Sequence, residues 1–500
     1  MKTAGQQVSG ALLWTIVPRA VQMVVSVFTS VYIVRALGGF DYGTLSVLRT
    51  FLALAGLVVG FGFGQALNRF IPELRVQGQH DEGRALLYRC LLVQSGIWVV
   101  VAGVLALLRG TIAAHYPTYA DPLLLGVLLS ILEVYAQTVS QYTIASYRAR
   151  ELAAGTTAGS LTLAFGTAWL LHQGMKVPGV LWAGAIGNAV TLVILLVLLR
   201  RSAPKGSFEA TGIGRFPWSR LMAYAAPWMP NNLLNYVVWR QSETVFLGLY
   251  RTREEAGYFD IAYKLPQLAL EFLPSSIYPL ILAGFSETAT VAKERMPEFL
   301  SLYYRLLFFL LAPLSLLGLA MGDRLLVILY GAPMAPAGPY CQAFFVIFTA
   351  SFIGTPLSMA VYVVERVWLN LLLNVGYATI NIGLDLLLIP RYGLLGATIP
   401  TALVTVLIPF VRYWVARRYV ARIVIPWGFM LKCYLSASPI LALFWLKQWA
   451  ETGAQALLLC LAAALVTVVS YRLCRVLGPE ERSVLERSRL PFRALLLRLL

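Results

Sequence analysis

Apolar runs long enough to cross a bilayer follow one another along almost the whole chain of 500 residues. A membrane-spanning helix needs about 20 apolar residues, and charged residues, glycines and prolines divide the chain into fourteen such runs. Backbone amides cannot stay unpaired in hydrocarbon, and these runs are too long for barrel strands. The sequence therefore predicts an all-α polytopic membrane protein. The predicted spans are 11–34, 42–68, 84–108, 121–146, 155–173, 177–199, 220–249, 257–285, 302–330, 340–363, 367–389, 394–416, 427–446 and 453–474.

Positive charge is distributed unevenly between the two sets of alternate loops. If the amino terminus is cytoplasmic, the loops on that side hold about three times as many Lys and Arg residues as the loops on the other side. This bias predicts that both termini are cytoplasmic. The net charge of +17 then belongs to cytoplasmic loops and to a basic tail that lies against lipid headgroups, which argues against nucleic-acid binding.

The two halves of the chain resemble each other at a constant separation of 214 residues. Gly43 and Gly257 share this separation, as do Glu151 and Glu365, at corresponding places among the spans. Several matches at one separation predict a duplicated six-helix unit, and an even number of helices gives both copies the same orientation. The predicted parts are an N-terminal lobe (1–200), a cytoplasmic linker (201–219), a C-terminal lobe (220–418), two extra helices (419–474) and a basic cytoplasmic tail (475–500).

Cysteine and histidine do not form a metal-binding pattern. Five cysteines and three histidines are scattered without ligand spacing, which predicts no metal site, no disulfide framework and no cofactor other than a coupling cation.

Four of the cations within the predicted spans are candidate site residues. A cation at this depth is costly unless it faces water or an anion, so Arg19, Arg49, Arg240 and Lys264 are candidate binding residues for an anionic substrate. Alternatives remain for each of them. Arg19 has buried carboxylates such as Glu243 as candidate partners, and Glu243 also stands three residues after Arg240. Arg49 and Lys264 each lie seven residues from the predicted outer end of a span, from which their side chains can reach the interface.

Buried carboxylates are candidates for coupling transport to H⁺ or Na⁺. Glu133, Glu271 and Asp385 lie within spans, where a desolvated carboxyl group can load and release a cation. Glu271 can alternatively neutralise a nearby arginine. Asp385 lies near the end of its span and can alternatively be hydrated there.

Three segments resemble the polysaccharide exporter and O-antigen repeat-unit flippase family of the multidrug/oligosaccharidyl-lipid/polysaccharide exporter superfamily. They are Arg35-Ala-Leu-Gly-Gly-Phe-Asp-Tyr-Gly43, Asn68-Arg69-Phe-Ile-Pro72-Glu73 and Pro390-Arg-Tyr-Gly-Leu-Leu-Gly-Ala397. The resemblance covers the whole chain. It implies two pseudo-symmetric six-helix bundles plus two C-terminal helices in a bacterial inner membrane.

The same resemblance implies a function. This function is the movement of a polyprenyl-diphosphate-linked oligosaccharide from the cytoplasmic to the outer leaflet by alternating access. Polysaccharide polymerase or assembly proteins are its implied partners. In related lipid II flippases, arginines on helices 1, 2 and 8 are thought to hold the diphosphate, and Arg19, Arg49 and Lys264 match them by location.

Two other functions stay open at this point. An ion-coupled exporter of drugs or other amphipathic metabolites shares the same plan, although cations in both lobes favour an anionic cargo. A membrane enzyme of polysaccharide assembly needs acid-base residues at the membrane surface, and the predicted outer loop 331–339 lacks His, Asp and Glu. The sequence therefore predicts a transporter rather than an enzyme.

Overall fold

The computed structural model describes residues 4–201, 216–239, 242–291, 296–357, 367–419, 423–476 and 478, and these residues form helices and turns without any strand. The chain divides into two compact units, Met1–Gly257 and Tyr258–Leu500. They are called unit 1 and unit 2 below. The predicted lobe boundaries, with a linker at 201–219, stay a prediction.

Unit 1 contains nine helices within the described residues and the first turn of a tenth, α10 (Arg253–Val291). The first nine are α1 (Ala4–Gly60), α2 (Phe63–Val76), α3 (His80–His115), α4 (Pro117–Ala145), α5 (Ala149–His172), α6 (Val177–Arg201), α7 (Trp218–Ala225), α8 (Trp228–Trp239) and α9 (Glu243–Tyr250).

Unit 2 contains the remainder of α10 and the helices that follow it. They are α11 (Met296–Tyr330), α12 (Gly338–Ser351), α13 (Val367–Tyr392), α14 (Leu394–Tyr419), α15 (Trp427–Ala437) and α16 (Gly453–Leu473). Helices α10 and α12 pack through aromatic rings, because the Tyr263 ring meets the rings of Phe344 and Phe348 edge-on at centroid distances of 5.3 and 4.6 Å. Between α15 and α16 the chain forms short 3₁₀ turns and the one-turn helix Leu443–Leu446.

Within the described residues, the fourteen predicted spans fall mainly on helical segments, and the prediction of an all-α polytopic membrane protein is confirmed. In the described part of the chain, ten helical segments are long and apolar enough to cross a membrane. One of them, Ala20–Gly60, covers most of the first predicted span, 11–34, and most of the second, 42–68. The predicted spans 155–173, 220–249 and 257–285 lie on α5, on α7 to α9 and on α10.

Two backbone irregularities shape unit 1. Gly38 is non-helical, with φ 72° and ψ 179°, and separates the first two predicted spans within α1. Gly62, with φ 75°, separates α1 from α2 and comes so close to α7 that a Cβ there would stand 2.5 Å from the Ala225 carbonyl oxygen. Glycine alone fits this second position, because it needs both a left-handed φ and the missing side chain. The break between α1 and α2 therefore lies against the break between α7 and α8.

Helices α5 and α6 pack through small residues. A Cβ on Gly159 would stand 2.7 Å from the Gly187 carbonyl oxygen, and a Cβ on Gly187 would stand 2.8 Å from that of Gly159. Such close backbone approach is how membrane helices gain packing energy where lipid offers no hydrophobic drive. Gly159 and Gly187 form part of the wall of the cavity described below.

Candidate functional site

A cavity of about 450 Å³ lies within unit 1, among α1, α2, α4, α5, α6 and α8. Its volume is within the range of about 300–1,000 Å³ that is usual for small-molecule sites. Glycines form much of its surface, and at two of them, Gly60 and Gly184, the space that a Cβ would enter is open. The absence of side chains at these glycines keeps the cavity open.

The cavity is polar but neutral. Its described lining has amide and hydroxyl side chains from five helices and no charged side chain. The amides are Gln65, Gln137, Gln141, Asn188 and Asn232, and the hydroxyls are Thr138, Ser140, Thr156, Ser160 and Thr191. Amides and hydroxyls both donate and accept hydrogen bonds, so this lining is suited to a neutral ligand rich in hydroxyl groups.

Hydrogen bonds hold several of these amides in place. Asn68 Nδ2 donates to Gln141 Oε1 at 2.8 Å, and Gln65 Nε2 donates to Asn232 Oδ1 at 3.5 Å, which joins α2 to α8. A fully buried amide, Gln94, exchanges two hydrogen bonds with Thr138, of 2.9 and 3.1 Å. The side chains around the cavity therefore have fixed orientations before any ligand binds.

Arg49 and Glu133 lie near this neutral cavity, on α1 and α4, two helices that pack together. Arg49 is partly buried, and its positive charge acts on the Glu133 carboxylate. Glu133 is exposed. Its Oε1 accepts a 3.1 Å hydrogen bond from Gln137, which lines the cavity one turn along α4. The Glu133 carboxylate is therefore connected to the cavity lining through Gln137.

The other three predicted cations have different positions. Arg19 lies on α1, directly after Pro18, but its side chain is outside the described part of the structure. Arg240 lies outside the described residues, although Glu243, its predicted partner, is 2% exposed at the start of α9. Lys264 lies on α10 in unit 2, and its Nζ is 2.6 Å from Oδ2 of Asp260, one turn earlier.

The two predicted carboxylates of unit 2 differ in burial. Glu271 is exposed on α10 and accepts a 3.1 Å hydrogen bond from Gln267. Asp385 on α13 is fully buried, which excludes the alternative that it is simply solvated. Asn374 and Asn381, at helical spacing on the same face of α13, are 5% and 1% exposed, so Asp385 belongs to a buried polar stripe.

The neutral lining of the cavity was missed from the sequence, because the search followed charge. Single glutamines and threonines within apolar runs are frequent in membrane helices and give little signal. Their repetition at i and i+4, as in Gln137 and Gln141, together with glycines on α1, α2, α5 and α6, was the available indication.

A family model described as polysaccharide biosynthesis protein matches residues 11–282, more than half of the chain. This chain belongs to the polysaccharide biosynthesis protein family. The resemblance predicted from the sequence motifs is thereby confirmed. No curated protein sequence matches this family member.

Solved structures of transporters have the same fold as this polysaccharide biosynthesis family member. The lipid II flippase MurJ, in an inward closed conformation, superposes with a TM-score of 0.69 over 92% of this chain and 99% of that chain, at 15% identity. An inward-facing multidrug resistance MATE family transporter of the MOP superfamily gives 0.67 over 80% and 94%, at 12% identity. A MOP superfamily transporter from Pyrococcus furiosus gives 0.56 over 82% and 95%, also at 12% identity. At such identities, the comparison establishes a MATE-like fold.

Proposed function

We propose that this protein is a flippase for lipid-linked oligosaccharides. It moves polyprenyl-diphosphate-linked polysaccharide repeat units from the cytoplasmic to the outer leaflet of a bacterial inner membrane, by alternating access and without covalent chemistry. Both termini are cytoplasmic in this proposal, and polysaccharide polymerase or assembly proteins receive the product.

The observation that carries the proposal is the neutral amide and hydroxyl lining of the unit 1 cavity beside the charged Arg49. A sugar offers hydroxyl groups that exchange hydrogen bonds with such a lining, whereas a cationic drug needs acidic walls. The family membership independently associates the chain with polysaccharide synthesis.

The diphosphate needs cations, because hydrocarbon cannot replace its hydration. Arg49 is placed for this role, since it lies seven residues from the cavity-lining Gly56 on α1, which is about 10 Å along a helix. Its guanidinium presents several donors in one plane and stays charged. Arg19, Arg240 and Lys264 are proposed as further phosphate contacts during transport.

Coupling to a H⁺ or Na⁺ gradient is assigned to Asp385. A fully buried carboxylate, with the buried Asn381 one turn earlier on α13, offers oxygen atoms in a site shielded from bulk water, where binding a proton or a sodium ion neutralises the charge. Glu133 and Glu271 are the alternative coupling residues, and both are exposed.

The test is transport in proteoliposomes that contain a polyprenyl-diphosphate-linked disaccharide, measured as sugar accessible to membrane-impermeant periodate. Gly184→Leu places a side chain in the open space of the cavity and should reduce flipping at least about tenfold, because the sugar loses its volume. Gly103→Leu is the matched control, since Gly103 also has open space around it but lies on α3, outside the cavity lining.

Equal flipping by Gly184→Leu and by the natural chain would exclude the cavity as the sugar site. Extrusion of amphipathic drugs without any sugar flipping would instead support the multidrug exporter function, which the MATE-like fold also accommodates.

A further inference from the structure

A second cavity of unit 1, of about 700 Å³, lies at the helix ends on the predicted cytoplasmic side. It is bounded by α2, α3, the turn between α4 and α5, and the end of α6. None of its described lining residues belongs to the lining of the polar cavity assigned to the sugar. The second cavity is therefore a separate site.

Four arginines from four different segments line this second cavity: Arg75 from α2, Arg84 from α3, Arg148 from the α4–α5 turn and Arg200 from α6. The described lining contains no acidic residue. Four arginines around one cavity, with no acidic residue in its described lining, favour an anion as the ligand.

Two of these arginines are held in place by the protein. Arg75 Nη1 donates to the Ser146 carbonyl oxygen at 2.5 Å, and its guanidinium lies over the Tyr147 ring at 5.5 Å. Arg84 pairs with Asp81, which lies outside the cavity lining. Nη1 of Arg148 is buried and has no hydrogen-bond acceptor within the described part of the chain. Because a buried donor left without an acceptor costs free energy, this nitrogen is available to donate to an oxygen of a ligand.

An apolar wall continues from the arginines into the membrane span. Val193 and Val197 of α6 line the cavity and are 58% and 40% exposed, so the wall is open to the lipid-facing side. Val193 lies seven residues before Arg200, about 10 Å deeper along the helix. Tyr88 and Tyr147, 48% and 75% exposed, stand at the level of the arginines, where aromatic residues meet lipid headgroups.

We propose that this second cavity binds an anionic glycerophospholipid of the cytoplasmic leaflet, with its phosphate between Arg75, Arg84 and Arg148 and an acyl chain along Val193 and Val197. Charge alone would suit any phosphate. The apolar wall favours a lipid over a soluble anion, because a soluble anion gains no binding free energy from contact with exposed valines. A phospholipid held there bridges the turn after α2 and the turn after α4.

The test is native mass spectrometry of the delipidated full-length protein in detergent, titrated with dioleoylphosphatidylglycerol. One phosphatidylglycerol should bind above the background, and phosphatidylcholine should not. Arg84→Gln and Arg148→Gln should each weaken this binding about tenfold, the equivalent of one charge-assisted hydrogen bond. Arg150→Gln is the matched control, because Arg150 has the same charge two residues from Arg148 and does not line the cavity.

Two further arms separate a lipid from a free phosphate. Val193→Trp obstructs the apolar wall without removing charge, so it should weaken phosphatidylglycerol binding, and millimolar inorganic phosphate should not displace the lipid. Displacement by inorganic phosphate, or binding by Val193→Trp equal to that of the natural chain, would overturn the assignment to a lipid. Unchanged binding by both arginine variants would overturn the site. Transport is not measured, so these results are independent of the proposed flippase activity.

Discussion

Gly43 lies directly against the carbonyl oxygen of Arg253, so closely that a Cβ at Gly43 would overlap this oxygen. The Arg253 guanidinium lies over the rings of Phe40 and Tyr119, at 4.6 and 5.2 Å from their centroids, and donates to Thr118 Oγ1 at 2.7 Å. The start of α10 is thereby fixed to α1 and α4 within unit 1. The glycine makes this approach possible, and the arginine secures it.

Gly43→Ala should destabilise the protein by about 1–3 kcal/mol, because the added methyl group must push the backbone of α10 away from α1. Thermal denaturation in detergent measures the effect. Gly96→Ala is the control, since Gly96 is helical with open space around it, and alanine there should leave stability unchanged or raise it by up to about 1 kcal/mol. Equal melting temperatures for the two variants would contradict the close packing at Gly43.

Arg49→Gln should reduce flipping at least about tenfold, because one charged contact to the diphosphate is lost. The alternative is that Arg49 serves only to neutralise Glu133. The double variant Arg49→Gln/Glu133→Gln distinguishes the two roles, because it removes both charges and leaves no unpaired charge behind. We expect the double variant to stay inactive in the proteoliposome assay. Recovery of flipping in it would show that Arg49 does not hold the cargo.

Lys264→Met should destabilise unit 2 by about 1–3 kcal/mol, because it removes an ionic partner of Asp260, which is only 3% exposed on its side chain. Adding Asp260→Asn should restore most of the melting temperature in detergent. If Lys264 also contacts phosphate, the double variant will be stable and still flip slowly. A stable double variant with normal flipping would limit Lys264 to a structural role.

Asp385→Asn should make flipping independent of the H⁺ or Na⁺ gradient, because the amide keeps the shape of the carboxylate but cannot bind a cation by charge. Flipping is compared in proteoliposomes with and without each gradient. Asp323→Asn is the control, since Asp323 is partly exposed, lies on a different helix, α11, and is paired with Lys447 at 2.6 Å. An unchanged gradient dependence in Asp385→Asn would remove Asp385 from coupling.

The sequence was sufficient for the helices and less so for their interruptions. Apolar length determines a span wherever hydrocarbon requires internal hydrogen bonds, and the described residues of the predicted spans are mostly helical. The interruptions depend on tertiary contacts. The predicted span 220–249 contains α7, α8 and α9. The chain turns between Ala225 and Trp228, where the backbone of Gly62, just before α2, comes close. Hydropathy contains no information about such an approach.

The predicted site residues stay a prediction. Charge in an apolar run is conspicuous, so Arg49, Glu133 and Asp385 could be selected from the sequence. The position of Asp260, four residues before Lys264, was not considered from the sequence, although this spacing favours the ion pair of 2.6 Å that the structure contains. Neutral side chains such as Gln137 and Asn232 become a site only when separate helices bring them around one cavity.

The contact of Gly62 with the Ala225 carbonyl makes two interruptions of the chain into a single joint. Neither α2 nor α7 can change its direction at the adjoining break without displacing the other helix, because their backbones are in direct contact there. The hydrogen bond from Gln65 to Asn232 spans the same joint at the edge of the polar cavity. In the proposed transport cycle, a movement at this joint therefore displaces α2 and α7 together.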